Sequence, residues 1–549
     1  MSENLQVKSF IKILFFSSIN ALIFSCAQVV SPTGGAKDET PPKMTKSIPA
    51  NNSTNFSSKS IRINFNEYIS LKDLNSQLII SPPLKKIPDV VVKGKSLSME
   101  IKDTLKPNTT YTFSFGNSIV DFTENNPIDN FQYTFSTGSF LDSLSLSGKV
   151  DKAFNHTTEK GILVMLYGAE KAKPDSFPYH QLPDYFGKTN ELGNYSIKNV
   201  RNGKYKVFAL KDGNSNYLFD SDEEQIAFSD SLIDIEKSAT LDLTSFQELK
   251  SKLYLKKPVR STYAQLICAF SKPTNNITFE PLNPSQKIAW SAIETSPHKD
   301  TVNLWFAGVT QDSLRLKVFE NNIIIDTLEV KIPKLIKDKN SEKGRGPGLY
   351  ARTNINDDGS FDINKKVRLQ FSQPVKTFST STIFIIARKD TLKFITNFTD
   401  SIKRNFEITA PLKEDSLYSL LILPGSFEDY NGLKNDTLKF SLRVLPSRVY
   451  GTLKLVLKLP EGKNYILQML DEKENSVNEK YFTKSEVIQY EYLKPQVYKL
   501  KIIEDLNGNK QWDTGNFLKQ LQPEKTFYYS QPLTIRANWD LQEEWNLTK

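Results

Sequence analysis

Ile61-Arg62-Ile63-Asn64-Phe65 alternates apolar and polar side chains one by one. Successive side chains of a strand point to opposite faces, so the pattern predicts a half-buried β-strand. Val367-Arg368-Leu369-Gln370-Phe371 writes the same pattern again, far along the chain. The landmarks that follow each stretch also match. Leu105-Lys106-Pro107 leads to Tyr111-Thr112-Phe113 in the first copy, and Leu412-Lys413-Glu414 leads to Tyr418-Ser419-Leu420 in the second. Ser118 to Asp121 answers Ser426 to Asp429, and strand-like stretches 131–137 and 438–444 close the copies. These units are placed at 40–138 and 350–445.

A second unit also occurs twice. Tyr205-Lys206-Val207 precedes Asp212-Gly213-Asn214-Ser215-Asn216 and Asp220; Tyr498-Lys499-Leu500 precedes Asp505-Leu506-Asn507-Gly508-Asn509 and Asp513. From Tyr to the last Asp the offset is a constant 293 residues, without a gap. Ser147-Gly148-Lys149-Val150 answers Tyr450-Gly451-Thr452-Leu453 upstream, which places these units at 139–245 and 446–549. Between the copies, 250–334 reads as strands of a β domain of uncertain type, and the charged, glycine-containing 335–349 as a linker. Long helical periodicity is absent. Short alternating strands separated by turn residues predict an all-β fold, a string of about five small β-sandwich domains.

The 549 residues demand several domains, and 38% apolar with 24% charged residues excludes a polytopic membrane protein or a collagen-like fibre. The formal charge of +9 is spread along the chain, densest at 250–260 and 331–345. A nucleic-acid protein concentrates such charge on one face, so no nucleic-acid partner is expected.

Residues 1–25 read as a leader: Lys8 and Lys12 flank the start of an apolar run from Ile11 to Phe24, too short for a comfortable bilayer span. The run stops at Ile23-Phe24-Ser25-Cys26. Residues 26–39, rich in Ser, Pro, Gly and Thr, read as a flexible tether. The only other cysteine, Cys268, lies in the apolar run Ala264–Phe270 and is expected to be a buried small hydrophobe.

Ile23-Phe24-Ser25-Cys26 resembles a bacterial lipobox. That resemblance implies cleavage before Cys26, diacylation of its thiol, and a protein held on a membrane by lipid. Pro32-Thr33-Gly34-Gly35-Ala36-Lys37-Asp38 with Pro41-Pro42 resembles the opening of Ig-like-domain lipoproteins of the Bacteroidetes group. Phe65-Asn66-Glu67-Tyr68-Ile69, Leu105 to Tyr111 and Phe135-Ser136-Thr137-Gly138 resemble the SbsA-type bacterial Ig-like domain. Gly193-Asn194-Tyr195-Ser196 followed by Gly203-Lys204-Tyr205 resembles the carboxypeptidase-regulatory or transthyretin-like sandwich. These resemblances imply an outer-membrane lipoprotein and no defined reaction, because such folds are scaffolds for many roles. Acidic residues do not closely follow Cys26, which tilts the expectation towards the periplasmic face.

Candidate sites are few. Counting Asp212 as position 1, Asn214, Asn216, Asp220 and Glu223 fall at 3, 5, 9 and 12, an EF-hand-like spacing for a structural calcium ion. Asp505, Asn507, Asn509 and Asp513 repeat it, with Asn516 at position 12. Position 6 is Tyr217 or Lys510 where the EF-hand needs Gly, which argues against a true EF-hand and favours a long hairpin whose Asp and Asn side chains bond the backbone. Asp-Ser/Thr-aliphatic occurs ten times, at Thr104, Ser143, Ser231, Thr301, Ser313, Thr327, Thr391, Ser401, Ser416 and Thr437. The motif resembles the O-glycosylation sequon of Bacteroidetes exported proteins, and it is also how a turn entering a strand is written. His156, His180 and His298 lie in polar, turn-like contexts without a metal motif; a triad around His156, Thr157 and Thr158 can be imagined, but no catalytic residue is assigned. Trp290, Trp305, Trp512, Trp539 and Trp545 suit either sugar stacking or core packing. The expected protein is a non-enzymatic, lipid-anchored scaffold or binding module of the envelope with a protein or glycan partner. A surface adhesin or glycan-capture lipoprotein is the alternative, and an enzyme with an unrecognised site a third.

Overall fold

The computed structural model describes residues 38–170, 176–249, 252–283, 288–334, 348–388 and 390–548. Cys26, the tether up to 37 and most of the linker lie outside these. Strands make up nearly all the regular structure of the described chain, and its two α-helices, Leu74–Gln77 and Phe177–His180, have four residues each. No described helix is long and apolar enough to cross a membrane. Contacts divide the chain at Leu144: one compact unit precedes it and takes in Lys198–Arg201, and a second comprises the rest.

In the first unit, antiparallel strands run in the order Met44–Ile48, Ser60–Phe65, Ser96–Glu100, Asp89–Lys93. A second sheet has the order Ile79–Ser81, Thr110–Gly116, Phe131–Ser136, and Ile69–Leu71 pairs with Ile119–Asp121. Ile61, Ile63 and Phe65 are buried among Leu97, Tyr111, Phe113 and Phe135, while Arg62 is exposed. The alternation in the sequence is therefore the division between core and solvent.

Residues 348–445 repeat this arrangement. One sheet runs Ala351–Thr353, Val367–Phe371, Asn405–Thr409, Ile395–Phe398; Leu417–Ile422 lies between Ile383–Ala387 and Leu438–Val444; Val375–Phe378 pairs with Phe427–Asp429. The same tyrosine braces both copies: the Tyr111 hydroxyl accepts the Lys106 N–H at 2.8 Å, and the Tyr418 hydroxyl accepts the Lys413 N–H at 2.9 Å. Leu349, within the stretch expected as a linker, is 1% exposed and packs in this core.

The other repeat likewise keeps one strand order. Each copy opens and closes with parallel partners, Val150–Lys152 beside Leu243–Ser245 and Thr452–Lys458 beside Asp540–Asn546. Each has a central long strand, Gly203–Lys211 or Val497–Asp505, that ends at an Asp/Asn loop. Between the repeats, Arg260–Ser261, Gln265–Ala269, Thr301–Ala307 and Trp290–Thr295 form one sheet, and Ile277–Pro281, Ser313–Glu320 and Ile323–Lys331 the other. Their shared core holds Cys268, whose thiol burial pushes up to about 12.

Within the second unit, consecutive modules are pinned together. Arg404 Nη1 lies 2.8 and 2.6 Å from the two carboxylate oxygens of Glu294, its guanidinium covers the Trp305 ring at 4.5 Å, and Trp290 stacks on Tyr430 at 3.7 Å. Buried Asp362 accepts from the Tyr450 hydroxyl at 2.8 Å and pairs with Lys494 at 3.3 Å.

Candidate functional site

The two Asp/Asn loops are built alike. Asp212 accepts the backbone N–H groups of Asn214, Ser215 and Tyr217 at 2.6–3.1 Å, and Asp505 accepts those of Gly508, Asn509 and Lys510 at 2.8–3.2 Å. The amide nitrogens of Asn214 and Asn216 donate to Asp220 at 3.1 and 2.6 Å, and those of Asn507 and Asn509 donate to Asp513. These side chains thus do what short Asp and Asn residues do in turns, substituting for backbone partners.

The anchor of each loop is a residue the spacing did not single out. Glu224 accepts the N–H groups of Gly213, Asp220 and Ser221 at 3.0–3.2 Å and is 3% exposed. In the second copy Glu524 takes this place, 4% exposed, accepting from Leu506 at 2.7 Å and Asp513 at 2.9 Å. Glu223, expected to face the loop, is exposed instead, so the inward carboxylate is its neighbour. Burial outweighs the hydrogen bonds to Glu524 and holds its carboxyl above the ordinary range. Among the described residues, no group of three or more His, Cys, Asp or Glu side chains is arranged to hold a metal ion.

The second loop is longer, and its excess serves a joint. Phe517 is fully buried between Phe208, Phe228 and Tyr179 of the first copy, with ring centres 5.3, 5.3 and 5.7 Å away. Thr514 donates to the Gln247 carbonyl at 2.7 Å, and Gln522 to the Phe228 carbonyl at 2.9 Å. Gly515 passes so close to Phe246 that a Cβ would stand 2.6 Å from its ring, so only glycine fits. The joint is flanked by two clefts of about 530 and 510 Å³, one holding His156, Asp230 and Glu524, the other Asn155, Gln247 and Trp512.

His156 stands in the joint with Asp151, not with Thr157 or Thr158 as a triad around it would require. Beside it is Lys501, 1% exposed, its ammonium over the Phe154 ring at 3.0 Å and 5.7 Å from the Tyr528 ring centre. Burial lowers this lysine to about 7.

The tryptophans divide between packing and surface. Trp305 and Trp545 are buried, Trp290 stacks on Tyr430, and Trp512 meets Phe154 edge-on at 5.0 Å. Trp539 is 55% exposed, at a polar cleft with Arg448, Glu491, Tyr492 and Asn538. Of the ten Asp-Ser/Thr-aliphatic sites, Thr104, Ser143, Ser231, Thr327, Thr391, Ser401 and Thr437 are exposed, and Thr301, Ser313 and Ser416 are half-buried.

Residues 38–137 match the family model described as a bacterial Ig-like domain. The match falls on the first of the two similar sandwiches. Solved structures similar to the chain include the S-layer protein SbsC, 13% identical over 90% of this chain and 67% of that one, with a TM-score of 0.15. The Bacillus anthracis TIE protein is 10% identical over 94% of this chain and 76% of its own, with a TM-score of 0.14. BcpA, the major pilin subunit of Bacillus cereus, is 10% identical over 73% of this chain and 99% of its own, also with a TM-score of 0.14. No curated protein matches the chain.

Proposed function

We propose that this chain is a non-enzymatic, lipid-anchored envelope protein of the Bacteroidetes Ig-like lipoprotein type, acting as a scaffold or protein-binding module at the outer membrane, on its periplasmic face. The observation that carries the reading is the joining of the modules of the second unit into one body. Phe517 in its aromatic socket, Arg404 on Glu294 and Asp362 under Tyr450 and Lys494 fix neighbouring sandwiches, as a part that holds position requires. The bacterial Ig-like match at 38–137 and the lipobox-like Cys26 support the envelope and the anchor. Exposure at seven of the ten sequon-like positions supports O-glycosylation there. A calcium ion in either Asp/Asn loop would have to displace amide donors from Asp220 or Asp513; a melting temperature raised by calcium and restored by a chelator would establish it.

Exposed Trp539 in its polar cleft favours a second reading, glycan capture at the cell surface. Protease treatment of intact and lysed cells separates the two. Digestion only after lysis is the expected result. Digestion on intact cells, with polysaccharide binding lost in Trp539→Ala, would replace the scaffold reading by the second.

A further inference from the structure

His156 joins the two copies of the second repeat through both ring nitrogens. Nδ1 lies 3.0 Å from Asp151 Oδ2 of its own copy. Nε2 lies 2.9 Å from Thr526 Oγ1 and 3.1 Å from the Thr526 carbonyl oxygen of the other. The Thr526 hydroxyl already donates its hydrogen to the Ala153 carbonyl, at 2.8 Å. Every atom facing the imidazole is therefore an acceptor. A neutral ring has one N–H and one lone pair, and only the doubly protonated ring meets acceptors on both sides.

We propose that His156 is a titratable pin across this joint, holding it as the imidazolium and loosening the 505–527 excursion when it loses a proton. The neutral ring must turn a lone pair either to the Asp151 carboxylate, where attraction becomes repulsion, or to Thr526, whose hydroxyl can then donate to it only by leaving the Ala153 carbonyl. Asp151, on the histidine's own segment, favours the charged ring. From the strand Val497–Asp505, Lys501 opposes it, and Tyr528 meets the ring edge-on at 5.7 Å. The adjoining cleft brings Asp230, Asp242, Glu524 and Lys525 to the same neighbourhood.

The hydrogen bond that the ring donates to Asp151, against a smaller effect of burial, holds the imidazole above its ordinary range. A raised folded-state value means the pin's contribution is complete below the unfolded value of about 6.5 and is lost as pH rises through the folded one. Acid therefore tightens the joint and alkali loosens it.

The chain has three histidines, so labelling with ¹³C-histidine gives a spectrum that single variants assign. Two quantities are followed against pH in the full chain: the His156 midpoint, and hydrogen-exchange protection over 505–528 corrected for intrinsic rates. The His156 midpoint should lie above about 6.5, fall in Asp151→Asn and rise in Lys501→Met. Protection should drop roughly two- to fivefold through that midpoint, the scale of a partly exposed ion pair. His156→Gln should abolish the step. A midpoint at or below the ordinary value, or protection that ignores the His156 titration while Asp151→Asn shifts it, overturns the proposal.

Discussion

Lys501 places an ammonium in an aromatic pocket where burial disfavours charge and lowers the amine to about 7. Between about 7 and the ordinary lysine value near 10.4, the unfolded chain holds a proton that the folded one lacks. Stability attributable to this residue therefore rises with pH across that window, by up to about 1.4 kcal/mol per pH unit. In denaturant titrations at pH 7 and pH 10, Lys501→Met should lose this rise; an unchanged slope would show that the amine is solvated. The loop carboxylates offer a second contrast. Glu224→Ala leaves three backbone N–H groups without their partner and should cost about 1–3 kcal/mol, whereas exposed Glu223→Ala should stay within about 0.5. Equal losses would put the inward role back on Glu223.

Among elements, the excursion after Asp505 separates two repeats that otherwise share a strand order. Phe517→Ala empties an aromatic socket and should cost about 3–5 kcal/mol in urea unfolding, the scale of a core phenylalanine. A loss below about 1 kcal/mol would mean that the joint is held by its hydrogen bonds instead. The strands themselves were legible, because burial against one core writes period two into Ile61–Phe65 and Val367–Phe371. The Asp/Asn loops were legible for the same local reason. Their anchors were not: Glu224 lies 12 residues after Asp212 but Glu524 lies 19 after Asp505, so the constant offset between copies breaks after Asp513. The joining roles of Phe517 and His156 were not legible, since the partners they meet in the other copy lie hundreds of residues away and leave no periodic trace.

At the scale of the whole molecule, the string of sandwiches read from the sequence gains contacts that a linear reading does not contain. Within the second unit the last module returns to that unit's first, so its modules do not act as independent beads. Such a body suits the proposed scaffold, whose proposed place at the envelope rests on lipid at Cys26. Mass spectrometry of the mature amino-terminal peptide, beside membrane fractionation of Cys26→Ala, is the decisive measurement of that anchor. A lipid-anchored protein gives a chain beginning at an acylated Cys26 and a variant released from the membrane. An unmodified Cys26, or a Cys26→Ala variant that stays in the membrane fraction, would contradict it.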